Sequence, residues 1–421
     1  MSLSPAEKSW VLYDVANSAF VLVVVTTVMP IFFKEIVAAG TPPHLSTAWW
    51  GYANSLSSAL LVLISPLCGT IADYDRFKKR FILLFLLTGV AATFLLSFSG
   101  PGAIISSLLL YVVARTAWGG ANVFYDSLLT DVTTPDRYDR ISTLGYAWGY
   151  IGSVVPFVAV ILLLLVTKQP TDTSSIPLAG SRWGFVVVSL WWLLFSIPLL
   201  RNVNQRFSPP LPAGAITTAM QELRRTFSHV RTYRNPFLFL LSYFFFIDGV
   251  DTIITMAVAY GVDLGLGSTT LILAILVIQI VAFPSSLLWG RLSDTHRIKP
   301  LLLMGIGIYA IITLLAFMMP SLSSLPLKRS LFWLTSLLVA TSMGGIQALS
   351  RSFFARLIPP EHSAEFFGFF NISGKFATIT GPALVAFASE ATGSSRYGIL
   401  TILFLFGAGA LILPFVQEER T

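Results

Sequence analysis

The chain has 421 residues, of which 55% are hydrophobic, 13% aromatic and only 11% charged. Soluble domains carry about a quarter charged residues, so this composition excludes a water-soluble globule and points to a membrane protein. Cys68 is the only cysteine, which rules out an internal disulfide and a cysteine metal site, and the net charge of +7 finds its explanation in membrane topology rather than in nucleic acid.

Only Met1 to Ser9 precede the first apolar run. That run, Trp10 to Phe33, is too long for a signal-peptide core and ends without a small-residue cleavage pattern, so it is expected to stay as a helix. Crossing about 30 Å of hydrocarbon takes about twenty apolar residues. Twelve stretches qualify: 10–33, 45–72, 80–99, 103–130, 140–166, 182–200, 236–261, 269–290, 299–319, 328–354, 364–389 and 396–416. Pro30, Pro66, Pro156, Pro198, Pro284, Pro382 and Pro414 fall inside them, which packed membrane helices tolerate.

The pattern predicts an all-α polytopic membrane protein with twelve transmembrane helices in two pseudo-symmetric six-helix bundles. The bundles span residues 1–200 and 236–421, with a linker over 201–235. The linker passes through Ser208-Pro209-Pro210-Leu211-Pro212 and then Thr217 to Val230. There Met220, Leu223, Phe227 and Val230 make an apolar stripe beside Arg224, Arg225 and Arg231, the pattern of a helix lying on the membrane surface.

Lys and Arg set the orientation. With a cytoplasmic N-terminus, 19 of the 27 fall in cytoplasmic segments and six on the opposite side, while Arg115 and Lys375 lie inside helices. Both termini are therefore expected in the cytoplasm.

The two halves repeat. Gly119-Gly120-Ala-Asn122 corresponds to Gly344-Gly345-Ile-Gln347 at an offset of 225, which also pairs Pro135 with Pro360 and Gly149 with Gly374. Helices two and eight both end in Gly-x-x-x-Asp followed by basic residues: Gly69, Asp73, Arg76, then Lys78 to Arg80, and Gly290, Asp294, Arg297, Lys299. Such a glycine admits a close helix neighbour, and such an aspartate can meet a facing helix N-terminus.

Two six-helix halves with one such loop in each resemble the major facilitator superfamily. Tyr13-Asp14-Val-Ala-Asn17-Ser18, Phe124-Tyr-Asp-Ser-Leu-Leu-Thr-Asp131, Gly344 to Pro359 and Glu365 to Phe376 further resemble its "unknown major facilitator" branch, which includes fungal vacuolar amino-acid effluxers. The resemblance implies alternating access around a midplane site, an amino-acid-like substrate, export and a monomer in a bacterial cytoplasmic membrane. It also implies a cytoplasmic gate at Gly69, Asp73, Arg76, Gly290, Asp294 and Arg297. Asp251 stands where the branch is expected to have an amide.

Asp248 and Asp251 lie one turn apart in the apolar run Phe237 to Tyr260. A carboxylate at that depth costs about 3 kcal/mol on insertion scales, so it marks an ion or substrate path. Asp14-x-x-Asn17-Ser18 echoes Asp248-x-x-Asp251-Thr252. With Asn122, Gln347, Arg115 and Lys375, these are the candidate substrate-binding or proton-coupling residues. An arginine can hold a substrate carboxylate bidentately, though it cannot itself carry the proton. A structural ion pair, Lys375 with Asp248 for example, remains the alternative.

Gly368 to Lys375 lacks the spacing and the Ser or Thr of a phosphate loop. The four histidines are scattered over separate loops, so no metal and no cofactor is expected. The chain is thus read as a non-enzymatic, proton-coupled secondary transporter whose partners are a small polar solute, protons and the bilayer. The alternatives are a transporter of a larger siderophore-like or drug-like solute, or a membrane sensor on the same fold. The residues themselves leave the direction of transport open.

Overall fold

A computed structural model describes residues 3–41, 43–74, 76–170, 174–210, 233–264, 266, 268–392 and 395–417. The expected surface helix over Thr217 to Val230, and the tail Arg420, lie outside these residues.

The described residues form twelve long helices and no strand. They are α1 (Pro5–Val37), α2 (Pro43–Ala72), α3 (Phe77–Leu95), α4 (Ile104–Ser127), α5 (Tyr138–Thr167) and α6 (Leu178–Asn202). The second set is α7 (Arg234–Asp263), α8 (Ser268–Ser293), α9 (Ile298–Met318), α10 (Leu325–Leu357), α11 (Ser363–Thr392) and α12 (Ser395–Ile412). Among the described residues, eleven of these are long and apolar enough to cross a membrane.

Local chemistry explains several features. Ser4 and Glu7 close a capping box at the start of α1, and Pro5 follows in the first turn, where a missing N–H costs nothing. Within α1 the backbone takes π-helical form over Phe20–Val28 and Phe33–Val37. The hydroxyls of Thr26 and Thr27 both donate to the Leu22 carbonyl at 2.7 Å, which feeds an acceptor left over by the wider turn. The outer surface is apolar, with Leu63 73%, Val166 83% and Leu411 73% exposed. Buried serines and threonines bond back to their own helix carbonyls, as Thr93 does to Gly89 and Ser196 to Trp192.

Helix packing repeats with the sequence. In the first half α3 packs on α4, α1 on α6, α2 on α4 and α3 on α6; in the second, α9 packs on α10, α7 on α12, α8 on α10 and α9 on α12. Each pairing recurs six helices later, the signature of two pseudo-symmetric bundles.

The chain clusters into two compact units that interleave in sequence. The first holds Met1–Val132, Trp148–Met220 and Glu361–Gly368, and the second holds Thr133–Ala147, Gln221–Pro360 and Phe369–Thr421. The first turns of α11 thus belong with α2, and the first turns of α5 with α8 and α10.

Candidate functional site

In the first unit, the Gly69–Asp73 loop meets the start of α11. A side chain at Gly69 would lie 2.6 Å from the Ala364 carbonyl oxygen, so only glycine admits this approach. Four residues on, the Asp73 carboxyl accepts the backbone N–H groups of Ala364 at 2.9 Å and Glu365 at 3.0 Å. These are two of the N–H groups that the first turn of a helix leaves without partners, so Asp73 caps α11 from 291 positions away. Behind it Lys78, fully buried, places Nζ 2.8 Å from Asp131, 3.8 Å from Asp73 and 2.7 Å from Ser363 Oγ. Burial pushes the Asp73 carboxyl up to about 7, against Lys78 and the two N–H groups, which pull it down.

The buried cation of this loop is therefore Lys78 and not Arg76, which is exposed and takes a left-handed backbone at φ 62°. Lys78 and Asp131 escaped the sequence reading as a pair because 53 residues separate them.

The second unit builds the corresponding end differently. Gly290 packs against the Thr143 side chain of α5, as Gly69 packs against α11. Asp294 and Arg297 are both exposed. The buried polar contacts come from elsewhere: Asp139 receives Ser352 Oγ and Arg356, each at 2.5 Å. Arg351, 2% exposed, donates to Ser142 Oγ at 2.9 Å and its carbonyl at 3.0 Å, and lies over the Tyr146 ring at 4.5 Å.

Inside the first unit Asp14 is buried. Tyr125 donates its hydroxyl to Asp14 Oδ2 at 2.6 Å, and Asn17 donates to Oδ1 at 3.4 Å. Trp10 and Tyr13 pack on the Tyr125 ring at 4.6 and 4.7 Å. Arg115 reaches Tyr111 Oη at 3.5 Å, and Tyr111 in turn donates to Asn54 at 2.9 Å. Asn122 is half-buried, with its Oδ1 buried and unpartnered among the described residues.

Inside the second unit Asp248 is completely buried on α7. Its Oδ1 accepts the Gly381 N–H at 2.8 Å and the Thr252 hydroxyl at 3.4 Å. Its Oδ2 is buried with no hydrogen-bond partner among the described residues. A side chain at Gly381 would collide with both Thr252 Oγ1 and Asp248 Oδ1, so the glycine is required for the contact. Gly381 is the residue before Pro382, and nothing in the sequence ties it to a position 133 residues earlier. Asp251 and Gln347 are half-buried. Lys375 lies within α11, and its side chain is outside the described residues.

The two interiors share a plan. Gly149 of α5 lies against Asp14 and Ser18, as Gly381 of α11 lies against Asp248 and Thr252. Their hydrogen-bond donors differ: a tyrosine hydroxyl in the first, a helix N–H in the second.

Residues 5–421 match the family model described as vacuole effluxer Atg22 like. The MFS-type transporter YxiO of Bacillus subtilis is 44% identical over 99% of this chain and 95% of its own length. Autophagy-related protein 22 of Coccidioides immitis is 24% identical over 88% of this chain and 72% of its own length. Among solved structures, the proton:xylose symporter XylE superposes with a TM-score of 0.71 at 15% identity, covering 98% of this chain and 96% of that one. The human organic anion transporter MFSD10 gives 0.72 at 15% identity, covering 97% and 98%.

Proposed function

Since the chain belongs to the Atg22-like vacuole effluxer family, and is thus an MFS-type multi-pass membrane transporter, we propose that it exports a small polar, amino-acid-like solute by proton-coupled alternating access. One observation carries this reading. Asp248 is held in place through Oδ1, while its buried Oδ2 has no partner among the described residues. A buried carboxylate oxygen in that position calls for a proton or a cation such as a substrate ammonium. Within the first unit, Arg115 carries a guanidinium of the kind that binds carboxylates. In this reading both termini lie in the cytoplasm, and the cluster at Asp73, Lys78 and Asp131 is at that end of the first unit.

Substrate class is tested with purified protein and a panel of zwitterionic amino acids, peptides, siderophores and drug-like amphiphiles. A true ligand at about 100 times its Kd adds about 2.7 kcal/mol of stability, which a thermal scan resolves, and counterflow in proteoliposomes then verifies transport. Stabilisation by amino acids is the expected result. Stabilisation by the siderophores or amphiphiles alone overturns the substrate class.

The gate carries its own pH dependence. In contact, the Asp73 carboxyl is pushed up to about 7; released into water it returns to about 4. The closed contact therefore binds the proton more tightly than the open one. Its stabilisation is fully present below about 4, fades as pH rises towards about 7, and levels off above. Thiol accessibility at Ser363→Cys should thus increase from pH 5 to pH 8, and Asp73→Asn should flatten the profile. An unchanged profile in Asp73→Asn would refute this assignment.

A further inference from the structure

The first residues after α6 leave the helix at Val203 and run without regular structure to Ser208 and beyond. They lie across the loop from which Asp73 and Lys78 emerge. The Gln205 side chain, 5% exposed, sits between the end of α2 and the start of α3. Its Nε2 is 3.0 Å from the Ala72 carbonyl, 3.1 Å from that of Asp73 and 3.0 Å from that of Phe207. Its Oε1 accepts the Lys78 N–H at 3.3 Å. One amide thus satisfies carbonyls that α2 leaves free at its C-terminus and an N–H that α3 leaves free at its start.

Two neighbours add to this. Ser208 Oγ accepts the N–H of Arg76 at 2.7 Å, supporting the one non-glycine residue with positive φ among the described residues. A left-handed conformation is strained for such a residue. The backbone N–H groups of Arg206 and Phe207 reach Asp131 Oδ1 at 2.6 and 3.3 Å, opposite the oxygen that holds Lys78.

We propose that this strap, Gln205 to Ser208, is a working part of the gate, with Gln205 as the positioning residue that fixes Asp73 and Lys78 for contact with α11. The inference rests on the reading that this contact opens and closes during transport. The strap is also the first part of the chain to follow α6.

The test uses the full chain with its single cysteine removed (Cys68→Ser) and Ser363→Cys as reporter. Ser363 Oγ is buried against Lys78 and Thr130, so a thiol there is reachable only when the contact opens. Gln205→Ala should raise the rate of maleimide labelling at 363 about fivefold or more, the low end of coupling between linked sites. Gln205→Glu, which keeps the acceptor but turns a carboxylate on the Ala72 and Asp73 carbonyls, should do the same. Ser208→Ala, a milder change nearer the surface, should give a smaller rise and serves if the Gln205 variants do not fold. A lowered melting temperature with unchanged labelling overturns the proposal and leaves Gln205 with a scaffold role only. No labelling of the reporter in the otherwise unaltered chain during turnover overturns the gate reading, and the proposal with it.

Discussion

Asp248→Asn is expected to cut proton-driven accumulation at least about tenfold. The amide is nearly isosteric, and its carbonyl oxygen can still accept the Gly381 N–H and the Thr252 hydroxyl that Asp248 Oδ1 accepts. What changes is the other atom. Oδ2, buried and unpartnered among the described residues, becomes an NH2 that can bind neither a proton nor a cation. Gradient-driven flux into proteoliposomes should fall at least about tenfold, the equivalent of about 1.4 kcal/mol; counterflow without a gradient persists where Oδ2 serves the proton and is lost where it holds a substrate ammonium. Gly381→Ala approaches the same contact from α11. Its methyl group would be driven into Asp248 and Thr252, an overpacking that costs about 1–3 kcal/mol, and coupling should fall with it. Undiminished coupled transport in Asp248→Asn would remove Asp248 from the mechanism.

Lys78→Met is the second large effect, and it bears on stability. Lys78 is fully buried between Asp131 at 2.8 Å and Asp73 at 3.8 Å. Removing it strands two carboxyls, and breaking one side of a buried ion pair costs about 3–5 kcal/mol. The purified variant should melt well below the parent. Lys78→Met/Asp131→Asn should recover more than half of the loss. The asparagine oxygen still accepts the Arg206 and Phe207 N–H groups that Asp131 Oδ1 accepts, and the nearer of the two stranded carboxyls is gone. A double variant no better than the single one would show that charge is not what Lys78 balances.

The bundle architecture was legible because hydrophobic length and the spacing of small residues are properties of single helices. Each of the twelve apolar runs falls mainly on one long helix, with 80–99, 103–130, 299–319 and 396–416 running past its ends, and the repeat seen in Gly119-Gly120 and Gly344-Gly345 returns as the same four packing pairs in each half. The partners of the candidate residues were not legible. Asp248 stood out as an acid in an apolar run, yet the group that holds it is the backbone N–H of Gly381, and a backbone donor leaves no mark in composition. Charge spacing likewise drew attention to Arg76, but the buried cation is Lys78, two residues on. Arg76 is the exposed residue at the N-cap of α3, while Lys78 enters the first turn of α3 and is buried. The Gly-x-x-x-Asp repeat gave both glycines their close neighbours, α11 for Gly69 and α5 for Gly290. It could not foretell that Asp73 would be buried and Asp294 exposed.

The cap that Asp73 gives α11 sets what opening this end requires. The Ala364 and Glu365 N–H groups take their acceptor from the turn after α2, so withdrawing Asp73 leaves them bare. Donors in that state must be met by solvent. In the proposed gate, opening is therefore a wetting event as well as a movement of helices. Solutes that are excluded from protein surfaces, such as sucrose, weigh against it even though they touch no residue of the gate.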